Sequence, residues 1–134
     1  MLDELRRDHV ELSVISGELR AIIGTPGLGD ADRLARLRGR LTRIITGHLA
    51  VEDVHVYALL LADPRPEVQV IAQRFKDELR LLHGAFEAHV LRWTADALAD
   101  DWPGYTTAVS TLLDAIDARI RCEEEELYPL LGDI

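Results

Sequence analysis

An all-α fold, an antiparallel up-down-up-down four-helix bundle, is predicted by three observations on this 134-residue sequence. Apolar residues recur at intervals of three and four through four long segments, with hardly any alternating stretch. Three clusters of turn formers divide those segments: Gly24, Pro26, Gly27 and Gly29; Asp63-Pro64-Arg65-Pro66; and Asp100-Asp101-Trp102-Pro103-Gly104. The connections are short, which makes consecutive helices antiparallel neighbours.

The first helix spans about 2–23 and carries a stripe of Leu2, Leu5, His9, Leu12, Ser16 and Ile23. The second spans about 31–62, opened by Asp30 or Asp32 as a cap. Its stripe is Leu34, Leu37, Leu41, Ile44, His48, Glu52, His55 and Leu59. The third spans about 66–98, with Pro66 suited to its first turn. Phe75, Leu79, Leu82, Phe86, Val90 and Trp93 define its buried side, with His83 towards the edge. The fourth spans about 104–131 and lines up Val109, Leu112, Ile116, Arg119, Glu123, Leu127 and Leu130. Each helix thus sends an ionisable residue towards what should be oil.

Composition bounds the function. Residues 1–134 form a single domain by length, and 48% hydrophobic with 29% charged residues is a globular balance. A net charge of −9 opposes a nucleic-acid or anionic-membrane partner, which needs a basic face. Cys122 is the only cysteine, so no intramolecular disulfide can form. Neither a signal peptide nor an uninterrupted apolar run near the roughly 18 residues of a membrane helix is visible, so a cytoplasmic location is expected. No phosphate loop or nucleophile elbow occurs, and an enzymatic role is not the expectation. A symmetric homodimer is compatible with a bundle of this size.

The most informative feature is a repeat. His48-Leu-Ala-Val-Glu52 with Tyr57 and a leucine tail returns 71 positions on as Arg119-Ile-Arg-Cys-Glu123 with Tyr128 and Pro-Leu-Leu131. His48 and Glu52, four apart on a helix, sit one above the other in the geometry for joint ligation. A buried imidazole or carboxylate costs several kcal/mol unless compensated. A metal ion shared between facing helices is the economical compensation. His9, His83 and Glu123 are the candidate contributions from the other three helices.

Together Asp8-His9, His48-x-x-x-Glu52, His83 and the Glu123-Glu-Glu-x-Leu-Tyr-Pro tail resemble the hemerythrin-like (HHE cation-binding) family over essentially the whole chain. The resemblance implies a non-haem iron centre in a four-helix bundle. It also implies binding or sensing of O₂, iron, peroxide or nitric oxide. Carried over, His9 and His48 resemble terminal ligands of one iron, Glu52 and Glu123 the bridging carboxylates, and His83 a ligand of the other iron. Two positions depart: the family's fourth-helix histidine falls on Arg119, which stays protonated and has no lone pair to give, and a second third-helix histidine four residues from His83 is replaced by Leu79 or Glu87. Three states follow: a strained di-metal site, a mononuclear site, or a metal-free bundle in which Arg119 pairs with Glu123, Glu52 or both. The metal-free state would suit a regulatory or protein-interaction domain.

The remaining polar residues read more plainly. Glu52-Asp-Val-His55 matches one half of a ferritin-like ligand pair, but the second half is missing. His55 is therefore expected to be a hydrogen-bond donor behind the ligands or a core filler, and His89 to be exposed. Glu124 and Glu125 read as solvated, Glu126 as a rim residue paired with an arginine, and Cys122 as a structural thiol. Tyr57 and Tyr128 are expected to cap the core ends, and Trp93 and Trp102 to pack in the core and loops.

Overall fold

Capping chemistry sets the breaks between the helices. In the computed structural model, which describes residues 1–132, α1 runs Leu2–Ile23 and ends before the Gly24 turn. Asp30 then accepts the Arg33 amide at 3.0 Å and starts α2, Ala31–Val51. Such a cap contributes on the order of 1 kcal/mol. The same rod continues through a π-helical segment, Glu52–Tyr57, into α3, Ala58–Leu61. Pro66, whose missing amide costs nothing in a first turn, opens α4, Pro66–Arg92. Asp133 and Ile134, the last two residues of the expected domain, lie outside the described residues.

The third rod is shorter than the periodicity suggests. It stops at Arg92, and Thr94 caps a separate short helix, α5 (Ala95–Asp100), by accepting the Ala97 amide at 3.2 Å. The Arg38 guanidinium donates to the Trp93 carbonyl at this break. The fourth rod begins earlier than expected, because Asp101 caps α6 (Trp102–Cys122) by accepting the Gly104 amide at 3.0 Å. A side chain at 104 would collide with that carboxylate, so glycine is required for close approach. Past Cys122 the rod passes through a second π-helical segment, Glu123–Leu127, into a 3₁₀ turn, Tyr128–Leu131.

The described residues form helices joined by short turns, without a β-strand. α1 packs on α2 and α6, while α4 packs on α3, on the first π segment and on α6, so the four rods close a ring. By length and composition Ala31–Leu61 could cross a membrane. In this fold it buries Leu37, Leu41, Val56 and Leu60 against its neighbours and carries Glu52 into the centre.

Two apolar clusters fill the ring. One gathers Leu12, Ile15, Leu19, Ile45, Trp93, Trp102, Tyr105 and Ile116. The other gathers Leu5, Val56, Tyr57, Phe75, Leu127 and Tyr128. In sequence, His9 falls between Leu5 and Leu12, His48 and Glu52 between Ile45 and Val56, and Glu123 between Ile116 and Leu127. The ionisable residues therefore occupy the waist between two cores. Both tryptophans lie in the first core, Trp102 rather than in a loop.

The π segments alter the phase of two rods. A regular helix would keep His55 and Leu59 inward after Glu52, yet both are exposed, and Val56, Tyr57 and Leu60 are buried instead. A π turn holds an extra residue, so every later side chain is rotated relative to the α-helical register. The expectation that His55 backs the ligands or fills the core is corrected on this ground. The same shift after Glu123 buries Tyr128 and Leu131 beside the expected Leu127 and leaves Leu130 half-buried.

Candidate metal centre

Each ligand-type side chain arrives from a rod with little freedom. His9 comes from α1 and His48 from the last turn of α2, while Glu52 and Glu123 each stand at the first position of a π segment. All four are buried, Glu52 completely. One ligand atom from each lies within 4.8 Å of all the others. The closest approaches are His48 Nε2 to Glu52 Oε1 at 2.7 Å, His9 Nε2 to Glu123 Oε1 at 2.8 Å, and His9 Nε2 to His48 Nε2 at 3.2 Å.

The outer ring nitrogens decide what the inner ones can do. His9 Nδ1 meets Glu124 Oε1 at 2.8 Å, and His48 Nδ1 meets Asp8 Oδ2 at 3.0 Å. A carboxylate accepts, so each Nδ1 carries the proton, and a neutral ring then points its Nε2 lone pair inward. Those two lone pairs face each other and face carboxylate oxygens. Either further protons are shared among these atoms or a cation stands among them. Atoms about 2.1 Å from a shared ion and at right angles sit about 3 Å apart, which is the spacing found here. Glu52 Oε2 is buried without a hydrogen-bond partner, a further lone pair for a cation. The residue set fits a metal ion.

Electrostatics agree with that account. Burial alone would lower His48, but hydrogen bonds and attraction from Glu123 and Glu52 push it up to about 10. Burial pushes the Glu52 carboxyl up to about 7, against the opposing hydrogen bond from His48. Burial would raise Glu123 too, yet bonds from His48 and His9 and the nearby Arg119 charge hold it well below the usual carboxylate range. The metal-free cluster therefore stores protons near neutrality. For a group whose folded pKa is raised, its contribution is present below the unfolded value and lost as pH climbs through the folded one. The His48 contribution to metal-free stability should thus decline between pH 6.5 and about 10. Metal uptake should release protons and tighten over the same range. Urea midpoints against pH, and titration calorimetry in buffers of different ionisation heat, check both. A pH-independent binding heat across buffers would contradict the stored proton.

Arg119 reaches the same waist. Its Nε donates to Glu123 Oε2 at 2.8 Å and its Nη2 to the Tyr57 hydroxyl at 2.5 Å, with Cζ 4.7 Å from the Phe75 ring centre. The guanidinium pairs with Glu123 and makes no hydrogen bond to Glu52.

Not every expected residue joins. His83 stands apart: its side chain is 45% exposed and its Nε2 pairs with Glu87 Oε1 at 3.0 Å one turn on. α4 turns its apolar side, Phe75, Leu79 and Phe86, inward, which leaves position 83 at the rim. His83 lines, with His9, His48, Arg119, Glu123, Leu82 and Phe86, a small apolar-walled cavity of about 40 Å³ beside the cluster. His83→Ala is expected to leave metal stoichiometry unchanged and stability within about 0.5 kcal/mol, as for exposed positions generally. Metal analysis and thermal melting check this, and loss of one equivalent would restore His83 as a ligand.

Other expectations need revision. Glu124 is half-buried and orients His9 while also accepting from Arg6, so it is no free surface acid. Cys122 is exposed, because it precedes the inward Glu123 on the outer face. His89 is half-buried near Tyr105 rather than exposed. Glu126 is a rim residue whose Oε2 lies 3.7 Å from Arg74, as expected. Sequence reasoning missed Asp8 and Tyr128 as members of the site. Asp8 is flagged only by its place beside His9, and Tyr128 only by its repeat position.

A helical bundle with a buried, interlocked His/carboxylate cluster defines a cation-binding type of protein. The hemerythrin HHE cation binding domain matches residues 1–131, and the chain belongs to that family. No curated protein matches it, and no solved structure does.

Proposed function

We propose that this protein is a hemerythrin-like up-down-up-down bundle binding a single metal ion, iron being the expected one, through His9, His48, Glu52 and Glu123. The observation that carries the reading is the convergence of two inward Nε2 atoms and two carboxylates at one buried point. Arg119 stands where the family pattern would put a histidine, and its fixed charge on Glu123 takes the place of a second ion. One cation from solution and one from the chain then face the two buried carboxylates. A bound ion of this kind supplies Lewis-acid and redox chemistry. The adjoining apolar cavity, about 40 Å³, has room for a diatomic molecule such as O₂ or NO, which supports a role in sensing or binding small ligands.

Iron and zinc analysis of protein purified from iron-replete medium tests this. The expected result is close to one metal per chain in wild type and none in a His48→Ala, Glu52→Ala double variant. Two per chain in wild type would overturn the single-ion reading. A second reading is favoured by the Arg119–Glu123 pair, which already neutralises one carboxylate. It is a metal-free domain serving regulation or protein interaction, and it predicts no metal under any loading condition.

A further inference from the structure

The ring of Tyr128 packs in the second apolar core, but its hydroxyl reaches the polar waist. Its phenolic oxygen lies 2.8 Å from Glu52 Oε1, 3.1 Å from Glu123 Oε1, 3.3 Å from His9 Nε2 and 3.4 Å from His48 Nε2. It thus touches one atom from every member of the candidate ligand set and stands stacked on the His9 ring at 5.4 Å. A phenol has one proton, so it donates to one of these atoms only. Its oxygen can in turn accept from a ring N–H, but not from a carboxylate. Spacings of about 3 Å to four neighbours suit one more vertex of a single coordination sphere.

A second observation comes from the repeat. Tyr57 and Tyr128 each follow a buried glutamate by five residues, and a π segment turns each of them inward. Tyr57 already serves a cation, since its oxygen accepts from the Arg119 guanidinium at 2.5 Å. Tyr128 holds the equivalent place on the half of the site that lacks a built-in cation. Resting on the single-ion reading above, we infer that Tyr128 is a fifth ligand, binding the metal through its phenolate oxygen. On ligation the O–H bond breaks and an oxygen–metal bond forms. The proton passes to solvent, and no electron is transferred. Anionic oxygen suits the same hard cations as the two carboxylates.

Loading with ferric iron gives a direct readout, because phenolate bound to ferric iron produces a visible charge-transfer band and enhances tyrosine ring modes in resonance Raman spectra. Wild type and Tyr57→Phe are expected to show both signatures. Tyr128→Phe is expected to lose both and to bind iron about tenfold more weakly or worse. If Tyr128→Phe does not fold, Tyr57→Phe combined with Tyr105→Phe decides the matter, since the chain has only 3 tyrosines. Signatures that survive there belong to Tyr128. One iron per chain without a phenolate band, or a band unchanged in Tyr128→Phe, overturns the fifth ligand and leaves the single-ion reading standing. No iron uptake by wild type overturns both.

Discussion

Glu123→Leu is expected to destabilise the fold by about 3–5 kcal/mol, because it strands a buried charge. Arg119 would keep a hydrogen bond to Tyr57 but lose its carboxylate, and its Nη1 is already buried without a partner. His9 and His48 would also lose a shared acceptor. Domains of this size are stable by roughly 5–15 kcal/mol, so the variant approaches the threshold of folding. Arg119→Leu alone should cost less, because the imidazoles still face Glu123. The double variant should recover much of the loss, since replacing both members of a buried pair by apolar groups is often neutral. Urea denaturation of the four proteins, metal-free, closes the cycle. Additive single costs would mean that the pair does not act as a unit.

Metal saturation is expected to stabilise the wild-type protein by about 2.7–4.1 kcal/mol at a hundred to a thousand times the dissociation constant. The physical source is an ion replacing the stored proton between the imidazoles and carboxylates, together with satisfaction of Glu52 Oε2. Helices that meet at two apolar cores and a hydrogen-bonded waist would then be tied there by one ion. The increment should vanish in Glu52→Ala. That carboxylate is fully buried and pairs with both His48 and Tyr128. Calorimetric melting with and without ferrous iron under anaerobic conditions measures it. An unchanged melting temperature in wild type at saturating iron would favour the metal-free interaction domain.

The two results separate roles that proximity blurs. Arg119 concerns the balance of charge within the chain, His9, His48 and Glu52 concern the ion from outside, and Glu123 serves both. A loss of stability without loss of metal in Arg119→Leu would place the guanidinium beside the sphere rather than in competition with it.

Much of this was legible in one dimension. Apolar period and three turn clusters identified four rods, because burial of a stripe leaves a regular trace in residue order. The 71-residue repeat drew attention to Glu52 and Glu123, and inward histidines on apolar stripes singled out His9 and His48. The break at Trp93 escaped, because a capping threonine, Thr94, outweighed continuing periodicity. Backbone phase and lateral position were not legible. Whether a rod makes an α or a π turn at a glutamate depends on what the opposite rods press against it. That choice exposed His55, buried Tyr57 and Tyr128, and set the phenol among the ligand atoms. His83 lay too near the stripe edge for a helical wheel to place, and only the packing of Phe75, Leu79 and Phe86 turned it to the rim. Residue order determined which side chains must leave water, since that depends on spacing along one helix. Which of them meet, and which oxygen stands between them, was decided by four rods in contact, where a shift of one residue rotates a side chain by about 100°.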